Sequence, residues 1–156
     1  MGLSAPPAYV TDKNNPREVR GWMIYDWAHS AFTTTVIAAL FGPYLTTITE
    51  AAVGENGVIA SLGSWYTITG KSFYGDCVSL SVLLQVFLLP LLGSVADYTH
   101  FKRRFLMLFC LIGALATCGF FFLTADTYLL GGLLFVIANL SFGASAVFYN
   151  AFLNEI

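Results

Sequence analysis

The sequence predicts an all-α membrane protein with four transmembrane helices, and three observations carry that prediction. Of 156 residues, 57% are hydrophobic and only 10% charged, where a soluble domain carries about 25% charged residues. The charges are clumped, leaving uncharged runs at 31–48, 77–96, 105–125 and 127–154. A hydrocarbon core of about 30 Å takes about 20 helical residues to cross, so each run spans or nearly so. Six of the seven basic residues fall before the first run or between the second and third, the asymmetry that orients spans in a bilayer.

Residues 1–20 form a short arm with Pro6, Pro7 and Pro16 and no apolar core, so no cleaved leader is expected. The spans are predicted at about 22–48, 77–96, 104–124 and 128–150, within a membrane region covering 21–156. Lys13, Arg17 and Arg20 before the first span, and Lys102, Arg103 and Arg104 between the second and third, place the N-terminus and the 98–104 turn in the cytoplasm. The 49–76 and 124–127 connections then face outward. A net charge of −2 and a pI near 5.5 point away from nucleic acid.

The first span opens with Trp22, Tyr25 and Trp27, aromatics suited to headgroup depth. Asp26, His29, Ser30, Thr33 and Thr34 gather toward one side of it, because helical positions three and four apart are neighbours. Pro43, preceded by Gly42, should break the backbone ladder near the outer end. The 49–76 connection shows a turn signal at Asn56-Gly57 and interfacial aromatics at Trp65, Tyr66, Phe73 and Tyr74, with a helical extension left open. Gly70-Lys71-Ser72 lacks the first glycine of a phosphate-binding loop, Trp65 standing in its place. Asn139-Leu140-Ser141 is a glycosylation acceptor by pattern but lies mid-span.

The third span is the most uniformly apolar and is expected to face lipid. In the fourth, Asn139, Gly143, Ala146 and Asn150 recur at helical spacing as one small, polar stripe. Helices one and four are therefore the expected cavity-facing pair. An ionised carboxylate mid-helix costs about 2.5–3.5 kcal/mol on insertion scales, which makes Asp26 the most informative residue. With His29 one turn on, it can bind a proton or a cationic group of cargo, or pair structurally with Arg17, Arg20 or a cytoplasmic loop. Cys77, Cys110 and Cys118 suggest apolar packing and no disulfide framework. No cofactor or metal is expected, and haem would want paired intramembrane histidines where only His29 lies in a span.

Gly93-x-x-Ala96-Asp97 followed by Lys102-Arg103-Arg104 resembles the signature between helices two and three of the major facilitator superfamily. His100 stands where that family has a second glycine, and Phe101 where it often has arginine. The segment from Arg20 to Phe32 and that from Phe148 to Ile156 are similar to the branch holding the autophagy-related vacuolar amino-acid effluxers and their bacterial relatives. His29 and Asn154 replace that branch's asparagine and proline, and span four lacks the arginine motif of some proton antiporters.

The resemblance implies a six-plus-six helix transporter, not an enzyme, moving a small-molecule cargo by alternating access. It also implies a bacterial inner membrane or a vacuolar one, and efflux as the direction. The chain ends at Ile156 directly after a helix, so the expectation is an N-terminal fragment whose remaining transporter helices are partners missing here. Asp26, His29, Thr33, Asn139 and Asn150 are the candidate substrate or proton pathway. Gly93, Asp97, Lys102, Arg103 and Arg104 are the candidate cytoplasmic gate. The competing classes are a stand-alone four-helix scaffold or sensor, and a membrane enzyme.

Overall fold

The structure is a computed structural model that describes residues 16–63, 65–98 and 101–152. Lys13, His100, Asn154 and the end of the chain, on which parts of the sequence reading rest, lie outside the described residues. Four helices are long and apolar enough to cross a membrane: Pro16–Val53, Phe73–Ala96, Lys102–Phe122 and Ala125–Ala151.

The first of these changes pitch twice. An α-helix, α1 (Pro16–Ala31), passes into a π-helical stretch at Phe32–Phe41 and returns to α-helix in α2 (Gly42–Val53). The expected break at Pro43 is therefore a widening instead. A proline ring clashes with the carbonyl four residues back, here that of Ala39, and a wider turn relieves the clash while keeping the chain helical. Nearby hydroxyls help to satisfy the loosened ladder. Thr33 and Thr34 donate to the carbonyls of His29 and Ser30 at 3.2 and 3.0 Å, and Tyr74 donates to Ile37 O at 3.2 Å. The helix also starts earlier and ends later than 22–48, since nothing between Pro16 and Val53 stops it.

The connection that follows holds a β-hairpin, β1 (Val58–Leu62) antiparallel to β2 (Tyr66–Thr69), with an irregularity in register between Val58 and Ala60. It rests on the bundle through Ile59 and Ile68. The remaining spans are α3 (Phe73–Tyr98), α4 (Lys102–Gly119), which runs on into a short 3-10 turn, and α5 (Tyr128–Phe152).

α5 is the hub. Half of the residues in its span are buried, against 6% for the spans of α3 and α4. Its core contacts concentrate at the hairpin end, where Phe41, Leu45, Phe73, Cys77, Leu123, Phe135 and Val136 form the buried cluster. Close approach of α3 requires glycine at 132, since a Cβ there would lie 2.6 Å from the Phe73 ring and 2.9 Å from Cys77 Sγ. Small residues at a helix contact are how membrane helices gain packing where lipid offers no hydrophobic drive. Exposure does not single out the third span as the lipid-facing one: α3, with Leu83, Val86 and Phe87 open, is as bare as α4.

Candidate functional site

The candidate residues divide between two sides of α5. On the α3 side, Asn139 is not free to face a cavity. Its amide donates to Ser81 Oγ at 2.7 Å, and its main-chain carbonyl accepts from Gln85 Nε2 at 3.2 Å. Ser81 is fully buried and passes its own proton to Val78 O at 2.8 Å. Gly143, one turn on, leaves the room that Gln85 fills, a Cβ at that position falling 3.0 Å from Gln85 Oε1. Half of the polar stripe on α5 is thus a satisfied interhelical network. Asn150, further along, is exposed.

On the α1 side the contact is aromatic. Trp22 and Tyr149 stack with centroids 4.9 Å apart, Tyr25 and Tyr149 at 4.8 Å, and His29 and Phe142 at 3.6 Å. Phe32 continues the series onto Phe142 at 5.3 Å. Positions 22, 25, 29 and 32 lie on one helical face, and 149, 145 and 142 descend an antiparallel neighbour, so the side chains interleave as a ladder. Each such ring pair is worth about 0.5–1.5 kcal/mol beyond area burial. This matters because α1 buries no residue of its own. Tyr25 also meets α4, its hydroxyl lying 3.3 Å from Cys110 Sγ.

The Trp22 indole Nε1 is buried without a hydrogen-bond partner among the described residues, whereas the Tyr149 hydroxyl lies against the Asp26 carboxylate and His29 against the Phe142 main chain. Asp26 is exposed, one turn before His29 on α1. Beside the ladder, α1, α4 and α5 border an open cavity of about 450 Å³ lined mainly by apolar side chains, with His29, Thr117, Ser141 and Ser145 among its polar lining. Thr33 is exposed and bonded back to its own helix. Asp26 and His29 lie one turn apart on α1, while Asn139 is committed to the α3 side of α5. Trp22, read from the sequence as an interfacial anchor, instead packs into the bundle against Tyr149. The helical spacing of 22, 25, 29 and 32 was the available signal.

At the other end of the bundle from the hairpin, Asp97 lies in the last turns of α3, its side chain outside the described part. Gly93 faces open space, with nothing described within 4 Å of a Cβ there. Phe101 starts α4 by accepting from the amides of Arg104 and Phe105 at 2.9 and 3.1 Å. The Arg104 guanidinium sits 5.0 Å from the Phe101 ring centroid. Lys102 is half-buried and Arg103 exposed.

The hairpin end has its own charges. Lys71 Nζ and Glu55 form an exposed ion pair at 2.7 Å, which accounts for the lysine of the Gly70-Lys71-Ser72 segment. The hydrogen bond from Lys71 holds the Glu55 carboxyl below its ordinary range, and Glu55 in turn raises Lys71. Tyr66 and Ser72 both donate to Asp76, tying the hairpin to the first turn of α3.

Spans joined by a tight basic turn at one end and a hairpin cap at the other, and gathered on one half-buried helix, define a multi-pass membrane protein. The chain belongs to the family of Atg22-like vacuole effluxers, whose model matches residues 14–156. It is 33% identical to autophagy-related protein 22 of Neurospora crassa, over 95% of this chain and 23% of that protein. To the Gibberella zeae protein of the same name it is 34% identical, over 88% of this chain and 23% of the relative. An uncharacterized MFS-type transporter of Bacillus subtilis, YxiO, is 29% identical over 92% of the chain and 31% of its own length. The chain thus spans about a quarter to a third of these relatives, and its four helices are part of a larger fold of the major facilitator kind. No solved structure gives a significant match.

Proposed function

We propose that the chain is the N-terminal part of a secondary active transporter that moves a small polar solute, amino acids above all, by alternating access. The observation that carries this is an ionisable pair, Asp26 and His29, on a membrane-spanning helix of an effluxer family, set against α5 beside an open, mostly apolar cavity. Ionisable groups at such depth pair with cargo, protons or one another. Asp26 and His29, with Thr33 and Asn150 exposed on the same two helices, form the solute or proton pathway. Asn139 acts at one remove, fixing α5 against α3.

Gly93, Asp97, Lys102, Arg103 and Arg104 form the gate, making and breaking contact with the helices that the longer relatives carry beyond this region. Basic residues concentrated at the gate end put it and the N-terminus in the cytoplasm. The membrane is a bacterial inner membrane or a vacuolar one, and the direction is efflux.

The test uses the full-length protein in vesicles. Asp26→Asn is expected to flatten the pH dependence of solute uptake, and a variant with the parent's rate at every pH would leave Asp26 a structural residue. Labelling lysines from either side should reach Lys71 from outside and Lys102 from inside. Both reached from one face would overturn the layout.

A further inference from the structure

We propose that the open cavity bordered by α1, α4 and α5 is the seat of a further membrane-spanning helix, supplied by the part of the full-length protein that the relatives carry beyond the region this chain covers. The inference goes beyond the transporter reading and rests on the family and its larger fold.

Two kinds of surface lie open on α4. Leu108, Leu111 and Leu115 are exposed on one side, bulky chains of the sort that meet lipid. Cys110, Ala114, Thr117 and Cys118 line the cavity instead, at spacings that share one helical face. None of the four is larger than threonine, and Ala138 of α5 continues the small lining. Membrane helices place small residues where another backbone comes close, since lipid offers no hydrophobic drive for association.

Ser141 points to a polar contact from that neighbour. It is 5% exposed, lines the cavity and makes no hydrogen bond among the described residues. Thr117 and Ser145 on the same wall differ, donating to Gly113 O and Phe142 O at 2.8 Å each. A buried hydroxyl without a bond is uncommon in a folded protein, and lipid tails hold no acceptor or donor to complete one.

The length of the relatives supplies the occupant. This chain spans about a quarter to a third of them, so most of the fold lies outside it. A cavity of about 450 Å³ admits the ridge of side chains that one helix inserts between its neighbours. α1, which buries no residue, gains the packing it lacks. Asp26 and Ser30 lie about a third of a turn round α1 from the face that Tyr25 and Ala28 turn to the cavity, so a seated helix leaves them to the solute.

The experiment replaces Ala114, and separately Cys118, by the photoreactive p-benzoylphenylalanine in the full-length protein in membranes, and maps the products by mass spectrometry. A cross-link from either position to a peptide beyond residue 156 of the same molecule is expected. Ala114→Phe, at a position exposed in this structure, should lower the melting point of the full-length protein by overpacking the seat. Ser141→Ala should lower it too, by removing a bond that the seated helix completes. Lipid adducts or a second copy of the protein as the products from both positions would overturn the proposal, as would Ala114→Phe and Ser141→Ala both melting with the parent. No uptake is measured, so the transporter reading stands or falls separately.

Discussion

The two faces of α5 carry polar side chains to opposite ends. Toward α3, Asn139, Ser81 and Gln85 close a chain of hydrogen bonds at 2.7 to 3.2 Å. Toward α1, Trp22, His29 and Tyr149 meet ring to ring, and the Trp22 indole has no hydrogen-bond partner among the described residues. Both faces are rich in groups that hydrocarbon penalises, and both are half-buried or better. Burial alone therefore does not tell how a polar residue is satisfied: toward α3 by hydrogen bonds between helices, toward α1 mainly by ring contacts.

The largest effect should come from the α3 seam. Gly132→Val would drive a side chain into Phe73 and Cys77, and overpacking of this kind costs about 1–3 kcal/mol. The full-length protein in detergent should melt several degrees lower, and an unchanged melting point would show the seam to be slack. Next, Asn139→Leu removes one interhelical hydrogen bond, worth about 0.6 kcal/mol on average in membrane proteins and at most about 1.7. Stability should fall by that order while the KM for solute stays put. A double-mutant cycle of Asn139→Leu with Ser81→Ala should show coupling, and strict additivity would dissolve the contrast between the two faces.

The smallest effect should lie at the hairpin. Glu55 is fully exposed and held below the ordinary carboxylate range by Lys71, so its stabilisation is present above the unfolded-state value. That contribution disappears as pH falls through the lower folded value. Amide-exchange protection of the 58–69 hairpin should decline slightly on acidification over that window in the parent, and Glu55→Gln should abolish the pH dependence. Salt should shrink the difference, as for any solvated pair.

The hairpin itself was within reach of the sequence. Val58-Ile59-Ala60-Ser61-Leu62 and Tyr66-Thr67-Ile68-Thr69 are β-branched and aromatic runs punctuated by Gly57, Gly63 and Gly70, a pattern that favours two short strands. The π-helical stretch was not within reach. Pro43 announces a disturbance, but the hydroxyl that supports the widened turns beside it, that of Tyr74 on Ile37 O, comes from another helix. Asn139 shows the same limit. Its helical spacing marks it as polar and inward, but its partner Ser81 is 58 residues away, and no pattern within α5 reveals which helix it meets.

The sequence by itself determined the four spans, the basic turn and the family, because hydrophobic length is a sum over neighbouring residues and motifs are local strings. Only the tertiary structure decided which intramembrane polar groups are paired. A hydrogen bond between helices depends on rotation and register about each axis, and those are set by small residues such as Gly132 and Gly143 and by the rings interleaved between α1 and α5.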